Sequence, residues 1–128
     1  MGRQNPTVII ALGGNALSQK DESGTIEEQF THARESLKGV MYFVKKRYNI
    51  CITHGNGPQV GAELFKNEEM AASIPPLPLG VLVANTQGAI GYIIQQSLQN
   101  ALYNKKNERE VVTFISQMKV DSKDESLH

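Results

Sequence analysis

Three short apolar runs occur along the chain, and longer stretches of mixed polarity separate them. The runs are residues 7–12 (TVIIAL), 49–53 (NICIT) and 111–120 (VVTFISQMKV). The first has no polar position between Val8 and Leu12, which is the pattern expected of a strand that is buried on both faces of a sheet. The pattern therefore predicts three strands.

The stretches between these runs predict helices. Thr25 stands three residues before Glu28, which is the spacing of a capping box at the start of a helix. Behind it, apolar residues recur every three or four positions, as on one face of a helix: Ile26, Phe30, Ala33, Leu37, Val40 and Val44. The predicted helices cover about residues 25–46, 58–72 and 81–103, with loops at 18–24 and 73–80. Strands separated by helices imply crossover connections, so we expect an α/β fold with a parallel sheet.

Composition and charge exclude several classes of protein. The 128 residues include 13 Lys and Arg against 13 Asp and Glu, so the formal net charge is zero. No basic stripe is visible, which argues against nucleic acid as a partner. No apolar run approaches the roughly 20 residues that span a bilayer, so no membrane partner is expected.

Cys51 is the single cysteine of the sequence, and it lies inside the second apolar run. One cysteine cannot build a disulfide framework, which favours a cytoplasmic protein. We expect this side chain to be a small buried hydrophobe rather than a reactive thiol.

Two glycine turns end the first two predicted strands, and they carry the candidate chemistry. A helix N-terminus after a strand offers free backbone N–H groups to an anion, and glycine lets the backbone approach a ligand closely. In open parallel sheets ligands bind at the carboxyl ends of the strands. The candidate residues for binding a phosphate or carboxylate are Gly13, Gly14, Asn15, Gly55, Asn56 and Gly57. The alternative is that both are simple tight turns, closed by the asparagine side chains.

Other known motifs fit poorly. No Walker sequence is present, and the glycines after the second strand lack the acidic residue of a dinucleotide site. His54 could contact a ligand or act as a base, although a hydrogen bond that holds its own turn is the simpler role. We expect His32 and His128 to be solvated, and Asp121 and Asp124 to belong to a solvated tail rather than to a metal site. No His, Cys, Asp or Glu cluster has metal-ligand spacing.

Glycine and glutamine are unusually frequent in the third predicted helix. Gly88 and Gly91 would each cost about 1 kcal/mol relative to alanine, so a close approach by another backbone is expected there. The same helix carries Gln87, Gln95 and Gln96. It could line a ligand crevice or form a subunit contact, and we favour the subunit contact.

Four segments together resemble the first half of carbamate kinase, a member of the amino acid kinase family. They are ALGGNAL, THGNGPQVG, PLGVLVANTQGAIGYIIQQSL and VVTFISQMKVD, in this order. The resemblance covers residues 7 to about 124. It implies a three-layer α/β/α sandwich with a mainly parallel sheet, of which residues 1–128 would be the carbamate-binding half.

The resemblance also implies a reaction, which is phosphoryl transfer between ATP and carbamate in the presence of Mg²⁺, run toward ATP from carbamoyl phosphate and ADP. The six turn residues named above would surround carbamoyl phosphate or the transferred phosphoryl group. A homodimer contact would lie near the helix at 81–103. Because carbamate is already an anion, positioning and charge neutralisation would carry most of the catalysis.

The sequence departs from the family after VDSKD, where it ends in ESLH. The family's nucleotide-binding half, its catalytic lysines and its groups for Mg²⁺ and ATP or ADP have no matching positions here. Lys20 is the nearest cation after the first turn, and we assign it no catalytic role. The catalytic residues are therefore unknown, and we expect this chain to be inactive alone. The alternative is a non-catalytic module that binds an anion or dimerises.

Overall fold

The computed structural model describes residues 5–13, 16–17, 19 and 22–127. In chain order the elements are β1 (Thr7–Leu12), α1 (Ile26–Leu37), α2 (Val40–Lys45), β2 (Asn49–His54), α3 (Gly57–Glu69) and α4 (Leu79–Asn104), followed by a 3₁₀ turn at Glu125–Leu127. The two strands and the helices after them confirm the predicted α/β class. None of the described helices is long and apolar enough to cross a membrane.

Strands β1 and β2 pair in parallel, with Thr7 opposite Asn49 and Leu12 opposite His54. One face of this pair packs on a helical core made by α1, α2 and α4. The opposite face is open, since Ile9 is 71% exposed. Burial on both faces, which the apolar runs predicted, is therefore wrong for the described residues, because helices cover one side only. Cys51 is exposed for the same reason, which corrects its predicted burial.

The first predicted helix divides into two. α1 begins with the predicted capping box, in which Thr25 Oγ1 accepts from the N–H of Glu28 at 3.3 Å and Glu28 accepts from the N–H of Thr25 at 2.8 Å. The helix ends at Leu37, and α2 begins at Val40. Gly39 lies at this break, and glycine is a poor helix former.

α1 also holds the loop before it through His32. This side chain is 16% exposed and lies 2.6 Å from the carboxylate of Glu22. The expectation of a solvated histidine was therefore wrong, because the polar loop folds back over the helix. The predicted ends of the other helices differ by a few residues: α3 ends at Glu69, and α4 begins at Leu79.

Residues 111–120, the third predicted strand, pair with no strand among the described residues. The first part of this segment still alternates between half-buried and exposed positions, as an extended chain does. Side chains of α4, rather than a neighbouring strand, form hydrogen bonds with its backbone. Gln99 accepts from the N–H of Val111 at 2.9 Å and donates to the carbonyl of Arg109 at 3.2 Å, and Gln87 accepts from the N–H of Ser116 at 2.9 Å.

The two glycines of α4 face this extended segment. A Cβ at Gly91 would lie 2.2 Å from Thr113 Cγ2, and one at Gly88 would lie 3.6 Å from Ile115 Cδ1. Thr113 Oγ1 also donates to the carbonyl of Gly91 at 3.1 Å. The approach at Gly91 is therefore close, but the side chain of Thr113 makes it rather than another backbone, and the contact at Gly88 is an ordinary one.

Candidate anion-binding site

The parallel register brings the two glycine turns side by side. Leu12 and His54 are the last paired residues of β1 and β2, and Gly13 and Gly55 follow them directly. Both turns therefore lie at the carboxyl edge of the sheet, as predicted. The N–H of Ala16 donates to the carbonyl of Gly13 at 2.9 Å and closes the first turn. Gly14, Asn15 and Lys20 lie outside the described residues.

The second turn leads straight into α3, whose N-terminus has no side-chain cap. Asn56 is the N-cap residue, but its side chain makes no capping hydrogen bond. The N–H of Val60 donates to the carbonyl of Asn56 at 2.9 Å, which is the first bond of the helix. The first turn contains Pro58 and no acidic residue. The backbone N–H groups ahead of Val60 therefore lack intrahelical partners and carry the positive end of the helix dipole.

α1 shows the opposite arrangement within the same chain. Its N-terminus is satisfied by the Thr25–Glu28 capping box, and Glu27 and Glu28 place negative charge in its first turn. Only one of these two N-termini is thus closed by its own side chains, and α3 is the open one.

The glycines of the turns leave space that the protein itself does not fill. A Cβ built on Gly13, Gly55 or Gly57 would meet no atom within 4 Å. None of the three has the left-handed φ that Gly24 has at 71°. Neither packing nor backbone conformation therefore requires glycine at these positions, and the missing side chains leave the backbone open to a ligand.

The Asn56 side chain ties the second turn to α4. Its amide nitrogen donates to Thr86 Oγ1 at 3.0 Å and to the carbonyl of Val83 at 3.3 Å. The alternative in which Asn56 closes its own turn is therefore not the observed geometry. Thr86 is only 3% exposed, and sequence reasoning missed it. No local pattern indicates this role of Thr86, since a threonine next to Asn85 in an apolar helix has no obvious partner.

The side chain of His54 contacts its own turn. Its Nδ1 lies 3.3 Å from the carbonyl oxygen of Gly55, which matches the simpler of its two predicted roles. His54 and Asn56 also border a cavity of about 830 Å³ that extends along β2 toward residues 109–116. Among the residues that the structure describes, no group of three or more His, Cys, Asp or Glu could hold a metal ion.

Two parallel strands end in adjacent glycine turns, and helices pack against them. This arrangement is a portion of the amino acid kinase fold, since the solved structures that the chain matches include carbamate kinases. The carbamate kinase of Giardia lamblia bound to AMP-PNP superposes with a TM-score of 0.91 at 36% identity, over 96% of this chain and 43% of that one. No protein-family model matches the chain.

Curated relatives show the same similarity in sequence. The carbamate kinases of Pyrococcus horikoshii and Pyrococcus furiosus are 45% and 44% identical over 119 residues, which is 91% of this chain. The chain spans 38% of the length of either relative. It therefore matches the N-terminal part of carbamate kinase.

Proposed function

We propose that this chain provides the carbamate-binding half of a carbamate kinase-type phosphotransferase, which interconverts carbamoyl phosphate and ADP with carbamate and ATP. One observation carries this proposal. The register of β1 and β2 sets two glycine turns side by side, and the second opens into an uncapped helix N-terminus. Backbone N–H groups and open space at one edge suit a small anion.

The two turns would hold the anion through the backbone. Gly55, Asn56 and Gly57 would direct N–H groups at the phosphoryl oxygens, and Gly13, Gly14 and Asn15 would close the site from the other turn. Carbamate needs no deprotonation to attack phosphorus, so the site requires positioning and charge neutralisation rather than a general base. His54 fits this account as a residue that holds its turn.

Among the described residues, no group of three or more His, Cys, Asp or Glu could hold a metal ion without further ligands. Mg²⁺ and the nucleotide would bind to the part of carbamate kinase that this chain does not match. With this part missing, we expect the 128-residue chain alone to form no detectable ATP from carbamoyl phosphate and ADP. No observation on the described residues favours the alternative of a non-catalytic module.

A homodimer and a cytoplasmic location complete the proposal. The homodimer contact would lie along the 81–103 part of α4, where Val81 and Tyr92 are 42% and 57% exposed. Light scattering over a range of concentrations tests the dimer, and substitution of Tyr92 with Glu would shift the equilibrium to the monomer if this face forms the contact.

Amide chemical shifts of the ¹⁵N-labelled chain test the anion site directly. Titration with carbamoyl phosphate, and separately with inorganic phosphate, is expected to give saturable shifts at Gly55, Gly57 and Gln59. The capped N-terminus of α1 serves as an internal control, and sodium chloride of equal ionic strength serves as an external one. Equal responses at both helix N-termini, or equal responses to chloride, would contradict a specific site.

A further inference from the structure

The end of α2 has a long basic side chain at a position where glycine is usual. The N–H of Arg47 donates to the carbonyl of Val44 at 3.0 Å, and the N–H of Tyr48 donates to that of Phe43 at 3.1 Å. These two bonds define a Schellman motif, in which the residue just past the helix takes a left-handed φ and is usually glycine. Arg47 fills this position with a φ of 60°. The arginine therefore occupies its place at a conformational cost.

α4 ends in the same motif, which gives a comparison within the chain. The N–H of Lys106 donates to the carbonyl of Tyr103 at 2.9 Å, and that of Asn107 donates to the carbonyl of Leu102 at 3.0 Å. Lys106 has a φ of 53°. The helix dipole favours a cation at a helix C-terminus, and it acts on both side chains alike. The two differ in their surroundings, because Arg47 lines a cavity and Lys106 does not.

This cavity lies at the amino edge of the sheet and has a volume of about 340 Å³. Asn49, the first residue of β2, lines it, whereas the second glycine turn follows the last residue of that strand. A strand of six residues is about 20 Å long, so that distance separates the cavity from the candidate anion site. The full lining is Asn5, Val44, Arg47, Asn49, Asn107 and Arg109.

Two guanidinium groups and no carboxylate belong to this lining. Neither Arg47 nor Arg109 forms an ion pair with a carboxylate of the described residues. Nη1 of Arg109 is also buried, with no hydrogen-bond partner in the described part of the chain. A buried charged donor without an acceptor is unfavourable, so an acceptor with negative charge would stabilise this arrangement.

The asparagines of the lining add further donors. Asn107 uses its side-chain oxygen to accept from the N–H of Arg109 at 3.1 Å, which leaves its amide nitrogen as a donor. The amide nitrogen of Asn49 donates to the carbonyl of Asn5 at 3.2 Å and carries a second hydrogen. Donors thus come from the end of α2, the start of β2 and the segment after α4. A tetrahedral anion can accept from several such directions, and guanidinium groups bind phosphate in a bidentate way.

The charge around the cavity favours the same kind of ligand. The whole chain has a formal net charge of zero, yet basic residues cluster where α2 and α4 end. The acidic residues of these two segments are Glu108 and Glu110, and the basic ones are Lys45, Lys46, Arg47, Lys105, Lys106 and Arg109. Such a local excess of positive charge raises the concentration of anions near the cavity.

We propose that this cavity is a second anion site, which binds a phosphate group between the guanidinium groups of Arg47 and Arg109. The amide nitrogen of Asn107 completes the set of donors. The site is separate from the two glycine turns and takes no part in phosphoryl transfer, so it can fail while the candidate anion site stands.

NMR titration of the labelled chain tests the site. We expect inorganic phosphate or methyl phosphate to give saturable shifts at the amides of Arg47, Asn49 and Asn107. Binding of either compound supports the site, and their comparison shows whether it takes a free phosphate ion or a phosphate ester. The amides of Gly55 and Gly57 report on the other site in the same spectra. Equal shifts with sodium chloride of the same ionic strength, or tighter binding of malonate than of phosphate, would overturn the proposal.

The two Schellman motifs supply matched variants. Arg47→Gly should weaken phosphate binding at this cavity tenfold or more, because it removes a charged donor, and Arg109→Met should do the same. Lys106→Gly removes an equal charge outside the cavity, where salt screens it, and should change the affinity less than about twofold. Both glycine variants should melt no lower than the parent chain, since glycine takes a left-handed φ without strain. Equal losses of affinity in Arg47→Gly and Lys106→Gly, or no loss in Arg47→Gly, would overturn the proposal.

Discussion

Asn56 and Thr86 are 30 residues apart in the sequence, and their side chains meet at 3.0 Å. The Thr86 hydroxyl also donates within α4, to the carbonyl of Val83 at 2.9 Å or of Leu82 at 3.0 Å. This pair connects the second glycine turn to the longest helix of the chain. A buried threonine of α4 therefore helps to hold the candidate anion site in position.

Thr86→Val tests this connection. The substitution keeps the shape of the side chain but removes the acceptor for Asn56, so we expect a loss of about 1–2 kcal/mol in the free energy of unfolding. We also expect larger amide shift changes at residues 55–57 than elsewhere. Thr86→Ser keeps the hydroxyl and is the control for urea denaturation. Equal stability of the Val and Ser variants would show that the bond contributes nothing.

Gly91→Ala tests the packing of the extended segment on α4. The new Cβ would fall 2.2 Å from Thr113 Cγ2, so we expect a loss of about 1–3 kcal/mol despite the better helix propensity of alanine. Adding Thr113→Ser removes Cγ2 and should restore much of this loss. Gly88→Ala is the control, since its Cβ would make an ordinary contact of 3.6 Å. Urea denaturation of these three variants and the parent chain decides, and similar losses at Gly88 and Gly91 would contradict the account.

Thr25→Ala tests the closure of the α1 N-terminus. It removes the capping-box acceptor of the Glu28 N–H, and we expect a loss of about 1 kcal/mol in thermal or urea unfolding. The matched variant Asn56→Ala changes the N-cap of α3, which makes no capping bond. Its effect should come from the lost bonds to Thr86 and to the carbonyl of Val83, so it should be smaller in the Thr86→Val background. An additive effect there would contradict this assignment.

Asp124 gives a pH-dependent prediction. Hydrogen bonds from the side chain and backbone of Ser126 lower the pKa of this carboxyl below its usual value. A lowered pKa means that the bonds stabilise the local turn at pH values above the ordinary pKa, and that this support is lost as the pH falls through the lowered one. In an NMR titration, Ser126→Ala should raise the pKa toward its usual range. Unchanged titration curves would show that the hydroxyl has no such effect.

How much of the fold and of the candidate site could be predicted depends on how far apart in the sequence the interacting residues lie. The capping box of α1 and the strands β1 and β2 follow from local patterns, and the glycine turns follow from where the strands end. Residues 111–120 were predicted as a strand because their own pattern is strand-like, but a strand also needs a hydrogen-bonded neighbour, which no local pattern supplies.

The wrong predictions for the exposure of Cys51 and His32 also arise from contacts that are distant in the sequence. Cys51 was expected to be buried because its neighbours are apolar, yet its exposure depends on whether a helix layer covers that face of the sheet. His32 was expected to be solvated, yet a loop residue ten positions away covers it. In the candidate site, the two turns could be predicted, whereas the bond between Asn56 and Thr86 could not.

The affinity for carbamoyl phosphate of three alanine variants tests the central claim most directly. Gly55, Gly57 and Gly61 all have open space where a Cβ would lie, so alanine should fold at each position. If the glycine turn holds an anion against its backbone, Gly55→Ala and Gly57→Ala will weaken binding about tenfold or more with unchanged melting temperatures, while Gly61→Ala, further along α3, will bind as the parent chain does. Equal affinities for all four proteins would contradict the anion site.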